Sequence, residues 1–514
     1  MQQKATKKTK IVATIGPASD SPETIKQLYY SGVDVFRLNF SHGTHEGHGK
    51  VIQTIRSLNL KNAAILLDTK GPEIRVGEIR DKVHVKEGDK FTMTVEKGVY
   101  EDTGKISVNY EGFVKDVNVG DIIVIDSGIV QAKAISKTDK DIEFQVIEGE
   151  VDMTTKRHIN LHGRPVDLPT VTEQDWKDID FGIEQRVDFI ALSFVRTGDD
   201  VVRVRDHCRS KGVNIQVISK VENYESTENL EDIIRKSDGL MVARGDLSCE
   251  ISFGQVPTIQ KKMVALCSYY NKPVIIATQM VLSMVTNIQP TRAEVSDVGN
   301  AIFEGADAIM TSDETTKSCH PVLVIKTMAK IAKETEDSIY NLCEWSDCDS
   351  CFGILHQGRL QRKGFESKIR SKPQGEIEAN QQQSKNNHHG DGMCMCGHES
   401  MVTENIISIL PFITRDCQAI VGIHNSDDNY MKNISASRIA RPMFGFTNNE
   451  MLANQMSLIW NMQPELNKDI GDDYDKNVKI VDAFLKEKGV TKYIIVADMK
   501  DGDKIYPTVQ VRKI

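Results

Sequence analysis

The chain has 514 residues, which is too long for one hydrophobic core and predicts about three domains at roughly 150 residues each. Hydrophobic residues make up 39% and charged residues 27%, a globular composition that excludes wholesale disorder. The net charge of -9, with both signs interleaved, gives no reason to expect nucleic acid as a partner, so an anionic substrate must meet local positive charge.

The N-terminal segment does not predict secretion. Its lysines, in MQQKATKKTKIVATIG, precede a single apolar run that is shorter than the core of a signal peptide. No stretch approaches the roughly 20 apolar residues that cross a bilayer. Ten cysteines in a chain of this length are not a disulfide scaffold. We therefore expect a cytoplasmic protein with free thiols and no membrane partner.

Short apolar runs rich in β-branched residues recur along the first two thirds of the chain. Each is followed by polar or glycine residues and then by a segment with helical periodicity, so each run predicts a β/α unit. About eight such units are present, the number that closes a (β/α)8, or TIM, barrel. The runs are KIVATIG (10–16), DVFRLNFS (34–41), AAILLDTKG (63–71), VDFIALSFV (187–195), IQVISKVE (215–222), GLMVARGDL (239–247), PVIIATQM (273–280) and DAIMTSDET (307–315).

Residues 72–169 have a different character. They carry alternating patterns such as VHVKEG, KFTMTVEKG and IEFQVIEG, separated by Gly and Asp turns, which predict a small β-barrel insert. The insert leaves just after Asp68, Thr69 and Lys70 and returns near Pro169. We expect it to lie over the C-terminal mouth of the barrel, where it could act as a lid.

The last third of the chain predicts a second α/β domain. Residues 366–398 are rich in Gln, Asn, Lys, Gly and His, and they read as a disordered insertion. Apolar patterning resumes at ENIISILPFI (404–413), with QAIVGIH (418–424) and KYIIVADM (492–499) as strands and NEMLANQMSLIW (449–460) as a helix. The predicted domains are the barrel (1–71 and 170–343), the lid (72–169) and the C-terminal α/β domain (344–514).

Polar residues follow the apolar runs where the strands of a β/α barrel would end. In such barrels the active site lies at the C-terminal ends of the strands. We expect these side chains to converge on one pocket, although each comes from a different strand. The candidates are Arg37, Asn39, Ser41, Asp68, Thr69, Arg75, Lys220, Glu222, Arg244, Asp246 and Thr278.

Two of these candidates are carboxylates that leave neighbouring strands. Glu222 and Asp246 are placed to share one hard cation, for which Mg²⁺ is the natural candidate. Alternatively, either acid caps the following helix or pairs with Arg244. Lys220 lies two residues before Glu222 and suits a transferring phosphoryl group, whose charge needs compact positive partners. Its plain alternative is a lysine that extends along the barrel rim.

A second oxygen-rich set contains a single charge. Asn39, Ser41, Asp68 and Thr69 leave the second and third strands. One carboxylate with neutral oxygens suits a monovalent cation better than a second divalent one. A hydrogen-bonded set of strand ends explains these residue types equally well.

Several common motifs are absent from the sequence. There is no G-x-x-x-x-G-K-[ST] loop, and no G-x-G-x-x-G follows an early strand, so a nucleotide must be held by other means. No Ser/His/Asp or Cys/His arrangement stands out, and His42 is the only histidine at a strand end. Hydrolysis by a nucleophilic triad is therefore not expected.

At this point the motifs resemble one family, pyruvate kinase. The matching strings fall in the family's order and spacing over residues 10–340. They are KIVATIGPAS, RLNFSHG, LLDTKGPEIR, VDLP, SKVEN, MVARGDL, ATQM, PTRAEVSDV and the looser TSDETTKSCHP. The resemblance implies a barrel, a β-rich lid and a C-terminal α/β domain, assembled as a homotetramer. It also implies the last reaction of glycolysis, from phosphoenolpyruvate and ADP to pyruvate and ATP.

The resemblance assigns roles residue by residue. Lys220 would stabilise the transferring phosphoryl group, and Glu222 and Asp246 would hold Mg²⁺ or Mn²⁺ with the substrate. Thr278 would lie beside the reacting carbon. The backbone amides of Gly245 and Asp246 would hold the substrate carboxylate.

It also assigns a potassium site and nucleotide contacts. Asn39, Ser41, Asp68 and Thr69 match the family's K⁺ ligands, and Glu73 in GPEIR matches its potassium-dependent form. Arg37 and Arg75 match residues near the phosphates. The nucleotide contacts implied are Asn39, His42, Arg75 and Arg157.

The chain departs from the family pattern at the rim of this site. Family members more often carry lysine at Arg157, and LPG where this chain has Leu-His162-Gly. After ARGDL they usually carry Gly and an aliphatic residue, whereas this chain has Ser248 and Cys249, and SGET is replaced by SDET (312–315). We expect these changes to affect rate and affinity more than activity.

The C-terminal domain departs further. The family's sugar-phosphate site uses Ser/Thr-rich and Gly-rich loops, but the chain has HNSDDNYMKN (424–433) and ADMKDGDKIYP (497–507), so activation by fructose 1,6-bisphosphate is not expected. Cys394, Cys396 and His398, near His388 and His389, are candidate ligands for a soft metal, with ordinary surface residues as the alternative.

Two other functions share parts of the pattern. A barrel lyase that stabilises a pyruvate enolate with Mg²⁺ would use Glu222 and Asp246, but it would work without ADP. A non-catalytic pyruvate-kinase-like paralogue, acting as a metabolite sensor or scaffold, would keep the fold. Against it, a site released from selection should lose the clustered charges of Lys220, Glu222 and Asp246, which cost stability.

Overall fold

The computed structural model describes residues 4–126, 128–164, 166–344, 417–423, 429–436, 438–439, 441–501 and 504–514. The predicted insertion at 366–398, the cysteine–histidine cluster within it and the segment 404–413 lie outside the described residues. Within the described part of the chain, no helix combines the length and the apolar character that a bilayer span requires.

The chain begins with parallel strands that alternate with helices. Each helix starts at a capping side chain: Ser21 accepts a hydrogen bond from the backbone N–H of Thr24, and Thr44 accepts one from Gly47. The elements are β1 (Lys10–Thr14), α1 (Pro22–Ser31), β2 (Val35–Asn39), α2 (His45–Ser57) and β3 (Ala64–Asp68).

The lid that follows is a sheet closed on itself, antiparallel except for the parallel pair formed by its sixth and seventh strands in spatial order. Its seven-stranded sheet has the order β4-β12-β8-β9-β10-β6-β7, and β5 pairs separately with β11. A bridge between Val76 and Val108 joins the two ends, with the Gly77 N–H 2.6 Å from the Ser107 carbonyl oxygen. The predicted small β-barrel is therefore confirmed. Its elements are β4 (Ile74–Arg75), β5 (Val83–Lys86), β6 (Lys90–Thr94), α3 (Tyr100–Thr103), β7 (Ile106–Ser107), α4 (Phe113–Asp116), β8 (Ile122–Ile125), β9 (Val130–Lys137), β10 (Asp141–Glu148), β11 (Glu150–Met153) and β12 (His158–Leu161).

The chain then returns to complete the barrel. The elements are α5 (Glu173–Glu184), β13 (Phe189–Leu192), α6 (Gly198–Ser210), β14 (Gln216–Val221), α7 (Tyr224–Glu228), α8 (Leu230–Lys236), β15 (Gly239–Ala243), α9 (Arg244–Glu250), α10 (Val256–Tyr269), β16 (Val274–Ala277), α11 (Arg292–Glu304), β17 (Ala308–Thr311), α12 (Asp313–Thr316) and α13 (Pro321–Glu344). Two short 3₁₀ turns, Phe253–Gln255 and Leu282–Val285, lie between them.

Eight parallel strands close the predicted (β/α)8 barrel, in the order β1-β17-β16-β15-β14-β13-β3-β2 with β2 paired back to β1. All eight apolar runs identified in the sequence form these strands. The strand segments are fully buried, apart from partly exposed Asn39 at the end of β2, because helices cover the outside and side chains fill the interior.

Four aspartates brace the N-terminal end of the barrel. They precede the second, fourth, sixth and eighth strands of the barrel along the chain (β2, β13, β15 and β17). Each carboxylate accepts a hydrogen bond from a backbone N–H of the preceding barrel strand. This repeat ties the strands together in pairs at the face opposite the mouth. The pairs are Asp34 with Ile11 (2.9 Å), Asp188 with Ile65 (2.8 Å), Asp238 with Val217 (2.9 Å) and Asp307 with Val274 (3.0 Å).

The described part of the C-terminal region is a five-stranded sheet in the order β20-β19-β18-β21-β22. The strands at 418–424 and 492–499 are confirmed, whereas β19, β20 and β22 were not predicted. The predicted helix at 449–460 ends earlier, at Gln455, and continues as a 3₁₀ turn to Leu458. The elements are β18 (Ala419–Ile423), α14 (Asn429–Ala436), β19 (Met443–Thr447), α15 (Glu450–Gln455), β20 (Met462–Leu466), α16 (Tyr474–Glu487), β21 (Lys492–Asp501) and β22 (Lys504–Lys513).

This region packs against the N-terminal end of the barrel. Leu458 joins the core that fills the barrel interior, together with residues such as Phe189 and Met241. The Gln455 amide donates to the carbonyl oxygens of Asp188 (3.2 Å) and Asn214 (2.8 Å). The opposite, C-terminal end of the barrel is left to face the lid.

Candidate active site

Lys220 lies at the centre of a buried polar cluster at the mouth of the barrel. Its Nζ is 2.8 Å from Oδ1 of Asp68, 2.7 Å from Oγ of Ser193 and 2.9 Å from Oε1 of Glu222. Although burial acts to lower it, the carboxylates of Asp68 and Glu222 hold the pKa of Lys220 above its usual range. The lysine is therefore a fixed positive charge at the point where the strand ends meet.

Arg37 is the second cation of this cluster. Its Nε is 2.6 Å from Oδ2 of Asp68, and its Nη1 donates to Oγ1 of Thr14 at 2.7 Å. Burial acts to raise the pKa of Asp68, but Arg37 and Lys220 together hold it below the usual range. One fully buried carboxylate thus fixes the positions of two cations that come from different strands.

The two predicted metal ligands carry charge that the cluster balances only in part. Glu222 accepts the N–H of Phe194 (2.8 Å) and pairs with Lys220, yet burial raises its pKa and the nearby Asp246 adds to the effect. Burial likewise raises the pKa of Asp246. Among the residues that the structure describes, none donates a hydrogen bond to the Asp246 carboxylate.

These two carboxylates fit a hard divalent cation. A cation between Glu222 and Asp246 would offset the repulsion and the burial that raise both pKa values. The described residues contain no group of three or more His, Cys, Asp or Glu arranged around a metal. Two carboxylate ligands from the protein would suit Mg²⁺, because Mg²⁺ keeps waters and substrate oxygens in its shell.

The predicted potassium ligands lie at the ends of the adjacent strands β2 and β3, but they are largely engaged with protein groups. Oδ1 of Asn39 accepts the N–H of Ser41 (3.1 Å), and Oγ1 of Thr69 accepts the N–H of Ser193 (3.0 Å). Both carboxylate oxygens of Asp68 face cations, Arg37 and Lys220. Each oxygen keeps a lone pair, so the potassium site stays a prediction.

Thr278 lies on the other side of the mouth in a strained backbone conformation. Its φ is +72° and that of Gln279 is +57°, in a left-handed region that a β-branched residue rarely adopts. Gly245 abuts it, since a Cβ built at Gly245 would lie 3.0 Å from Cγ2 of Thr278. The predicted residues Gly245, Asp246 and Thr278 are therefore neighbours.

Arg244 holds this strained loop in place. Its guanidinium donates to the carbonyl oxygens of Ala277 (3.0 Å) and Thr278 (2.6 Å), and it pairs with Asp297 (2.8 Å). The sequence identified Arg244 as a strand-end residue without assigning it a task. Ser193, which links Lys220 to the Thr69 carbonyl, was not predicted, and its only signal in the sequence is a hydroxyl directly after the apolar residues of β13.

Three predicted nucleotide contacts lie outside the cluster. Arg75 is engaged by Glu73 (2.8 Å) and by the carbonyl oxygen of Lys156 (2.6 Å), and Arg157 pairs with Asp126. His42 is exposed and lines a separate pocket of about 200 Å³ beside α2 and α5. Their role in nucleotide binding stays a prediction.

The sequence is similar to those of known proteins. The family model for the pyruvate kinase barrel domain matches residues 6–325. The chain is 36% identical to pyruvate kinase isozyme G, chloroplastic, of Nicotiana tabacum over 483 residues, which are 92% of this chain and 77% of that protein. It is 42% identical to plastidial pyruvate kinase 2 of Arabidopsis thaliana over 337 residues, and 46% identical to pyruvate kinase of Geobacillus stearothermophilus over 340 residues.

Each of these last two alignments covers 65% of this chain and 58% of the relative. The strands of the barrel, the lid and the charged strand ends all lie within residues 6–325, the segment that the family model matches. The chain belongs to the pyruvate kinase family.

Proposed function

We propose that the chain transfers a phosphoryl group between phosphoenolpyruvate and ADP, giving pyruvate and ATP. The observation that carries this proposal is Lys220, a buried cation held by Asp68, Ser193 and Glu222 at the mouth of the barrel. Phosphoryl transfer needs fixed positive charge and accurate placement of two anionic reactants more than it needs covalent chemistry. A buried lysine with Arg37 beside it meets that need.

Each residue of the mouth has a task in this reaction. Lys220 and Arg37 attract the oxygens of the transferring group, and Glu222 and Asp246 hold a divalent cation, Mg²⁺ or Mn²⁺, which supplies further positive charge to the phosphate. Thr278 lies beside the carbon that gains a proton when enolpyruvate becomes pyruvate. The amides of Gly245 and Asp246 hold the substrate carboxylate, a task carried over from the family pattern.

The remaining ligands are proposed on the family pattern. Potassium would be held by oxygens of Asn39, Ser41, Asp68 and Thr69. The nucleotide would contact Asn39, His42, Arg75 and Arg157, and the last two would have to exchange their present ion pairs with Glu73 and Asp126.

We also propose a homotetramer, on the strength of the family pattern. Large apolar side chains exposed on the barrel, including Phe253 (82%) and Ile288 (64%), support an association between subunits. Light scattering of the purified protein tests the oligomeric state.

For the compartment, the sequence favours the cytosol, while the plant relatives above are plastidial by name. The location of a tagged protein in cells decides between them.

Pyruvate formation from phosphoenolpyruvate and ADP tests the proposed function. The assay contains Mg²⁺, with and without K⁺, and compares the protein with Lys220→Met. We expect ADP-dependent, K⁺-stimulated pyruvate that falls by about 10²–10³-fold in the variant, because removal of one preorganised charge costs about 3–4 kcal/mol of transition-state stabilisation.

The two rival functions give different results in the same assay. A barrel lyase would form product without ADP. A non-catalytic sensor would form no pyruvate although the protein is folded, and either result would contradict the proposal.

A further inference from the structure

One edge of the lid turns a row of polar side chains towards the barrel. Along β12, Ile159 and Leu161 point into the core of the lid, so His158, Asn160 and His162 lie on the opposite face. We call these three residues the docking stripe. The Asn160 amide donates to Oε1 of Glu250 at 2.9 Å, and Nδ1 of His162 lies 3.2 Å from the carbonyl oxygen of Cys249.

The docking stripe meets the C-terminal end of α9. The last carbonyl groups of a helix lack partners within the helix and need donors from elsewhere. Here the lid supplies them. The ring of His162 donates to the carbonyl oxygen of Cys249, and the backbone N–H of Gly163 donates to the carbonyl oxygen of Glu250 at 2.9 Å. Gly163 has a φ of +67°, a turn that glycine adopts without strain.

The same helix carries Asp246 in its first turn. It has seven residues, Arg244–Glu250, so that the lid contacts lie about one turn from the carboxylate. A helix of two turns is not stable by itself and depends on its packing and caps. The donors from the lid therefore help to decide where Asp246 lies.

The contact between the lid and α9 is not continuous. A cavity of about 40 Å³ lies beside it, lined by His158, Asn160, Phe194 and Glu250 among others, so the two surfaces are not packed along their whole length. When the lid lifts, the carbonyl oxygens of Cys249 and Glu250 lose their donors. Opening the lid therefore loosens α9.

We propose that His162 is a positioning residue that couples docking of the lid to cation binding at Asp246. By capping α9 from the lid, it stabilises the helix in the position where Asp246 and Glu222 share the cation. The acceptor is a backbone oxygen, so the contact depends on the donor at position 162. The family's LPG string would lack that donor, because proline has no N–H and its ring carries no polar group.

Coupling of this kind works in both directions. If lid docking improves cation binding, then the bound cation must favour the docked lid. The link between the two sites is α9 itself, an element whose cap is present in one state of the lid and absent in the other. Amides of α9 and of residues 160–164 should then exchange more slowly when Mg²⁺ is added.

Kinetic measurements on three variants test this inference, which rests on the proposed function for its activity readout. His162→Leu removes the donor, His162→Asn keeps an N–H near the position of Nδ1, and Lys140→Ala removes an exposed lid contact with Glu96 (2.5 Å) far from α9. We expect His162→Leu to raise the Mg²⁺ concentration for half-maximal rate about fivefold, the worth of one hydrogen bond. His162→Asn and Lys140→Ala should stay within about twofold of the parent protein.

Hydrogen–deuterium exchange gives a readout that needs no activity. In the parent protein, Mg²⁺ should slow exchange at residues 244–251 and 160–164, and this protection should be lost in His162→Leu but kept in His162→Asn. Equal Mg²⁺ dependence and equal protection in His162→Leu and the parent would overturn the inference. A parent protein that forms no pyruvate would contradict the proposed function, while the exchange experiment would still decide the inference.

Discussion

Charge balance around single residues explains the layout of the mouth. Asp68 pairs with both Arg37 and Lys220, and Glu222 pairs with Lys220, so these two cations and two carboxylates neutralise one another. Asp246 has no such partner among the described side chains, and burial raises its pKa. The Asp246 carboxylate therefore lacks an ion pair with a described side chain. Its burial lowers stability, and a bound cation would offset that loss.

At this scale we predict the effect of Asp246→Asn. Without metal, the variant should melt at a higher temperature than the parent, because a neutral amide removes a carboxylate whose charge is disfavoured by burial and by the nearby carboxylates. Addition of Mg²⁺ should raise the melting temperature of the parent but not that of the variant. Differential scanning fluorimetry with EDTA or Mg²⁺ measures both effects.

An exposed lid acid provides the matched control for Asp246. Glu96→Gln should keep the Mg²⁺ response, since Glu96 is exposed at the lid surface, where it pairs with Lys140. A variant Asp246→Asn that melts lower than the parent in EDTA would contradict the prediction.

Among the secondary-structure elements, the closure of the lid depends on very small residues at the seam between its first and last strands. Gly77 faces the end of β7, where a Cβ built on it would lie 2.0 Å from Oγ of Ser107. The Ser107 hydroxyl donates to the Gly98 carbonyl oxygen (2.9 Å), so it cannot move away without losing that bond. The hydrogen bond that closes the sheet, from Gly77 to Ser107, lies at the same point.

We predict that Gly77→Ala destabilises the lid by about 1–3 kcal/mol, the usual cost of an inserted methyl group in a packed site. Cleavage of the native protein by a protease within residues 72–169 should become about tenfold faster, because the lid opens more often. Gly254→Ala, where a Cβ meets nothing within 4 Å, is the control and should leave cleavage unchanged. Equal cleavage of the lid in Gly77→Ala and the parent would contradict the prediction.

For the whole molecule, the barrel is held between two bodies that contact its opposite ends. The lid faces the mouth through α9, and the C-terminal sheet reaches the other end through α15 and the turn to Leu458. The predicted boundaries at 71/72, 169/170 and 343/344 stay a prediction. The four aspartates that brace the barrel lie at the end that contacts the C-terminal region, and they differ in the charged groups around them.

Asp188 is the bracing aspartate with the weakest charge compensation. Its Oδ1 accepts the neutral Asn454 amide (3.1 Å), and Arg56 and Glu450 are the charged groups that act on it from nearby elements. Burial raises the pKa of Asp188 to about 7. Asp307, at the equivalent position, instead meets Arg438 at 3.0 Å.

We predict that this carboxyl makes the protein less stable as the pH rises. Between about pH 4 and pH 7 the folded chain keeps a proton on Asp188 that the unfolded chain has released, so stability present below pH 4 is lost as the pH rises through 7. Between pH 5.5 and pH 8, the free energy of unfolding should fall by about 1–2 kcal/mol less in Asp188→Asn than in the parent. Melting temperatures at both pH values measure it.

The equivalent substitution Asp307→Asn serves as the control for Asp188. It removes the partner of Arg438 and should lower stability at both pH values. A pH dependence of Asp188→Asn that matches the parent would show that this carboxyl is ionised in the folded protein.

The sequence by itself determined the strands of the barrel and the face of the active site. The eight barrel strands are buried apolar runs, and Arg37, Lys220, Glu222 and Asp246 follow them directly, so local patterns place them at the strand ends. A barrel brings those ends to one mouth whatever the detailed packing. Ser193 was missed because a hydroxyl after a strand has many structural roles.

Only the tertiary structure decided which groups meet at that mouth. Lys220 bonds Asp68 across 152 positions of sequence, and His162 reaches Cys249 across 87, so no local pattern encodes either contact. The strained loop at Thr278 is held by Arg244 from the neighbouring strand end. Ion pairs and caps depend on distances of a few ångströms between separate elements, and those distances are set when the barrel closes and the lid docks.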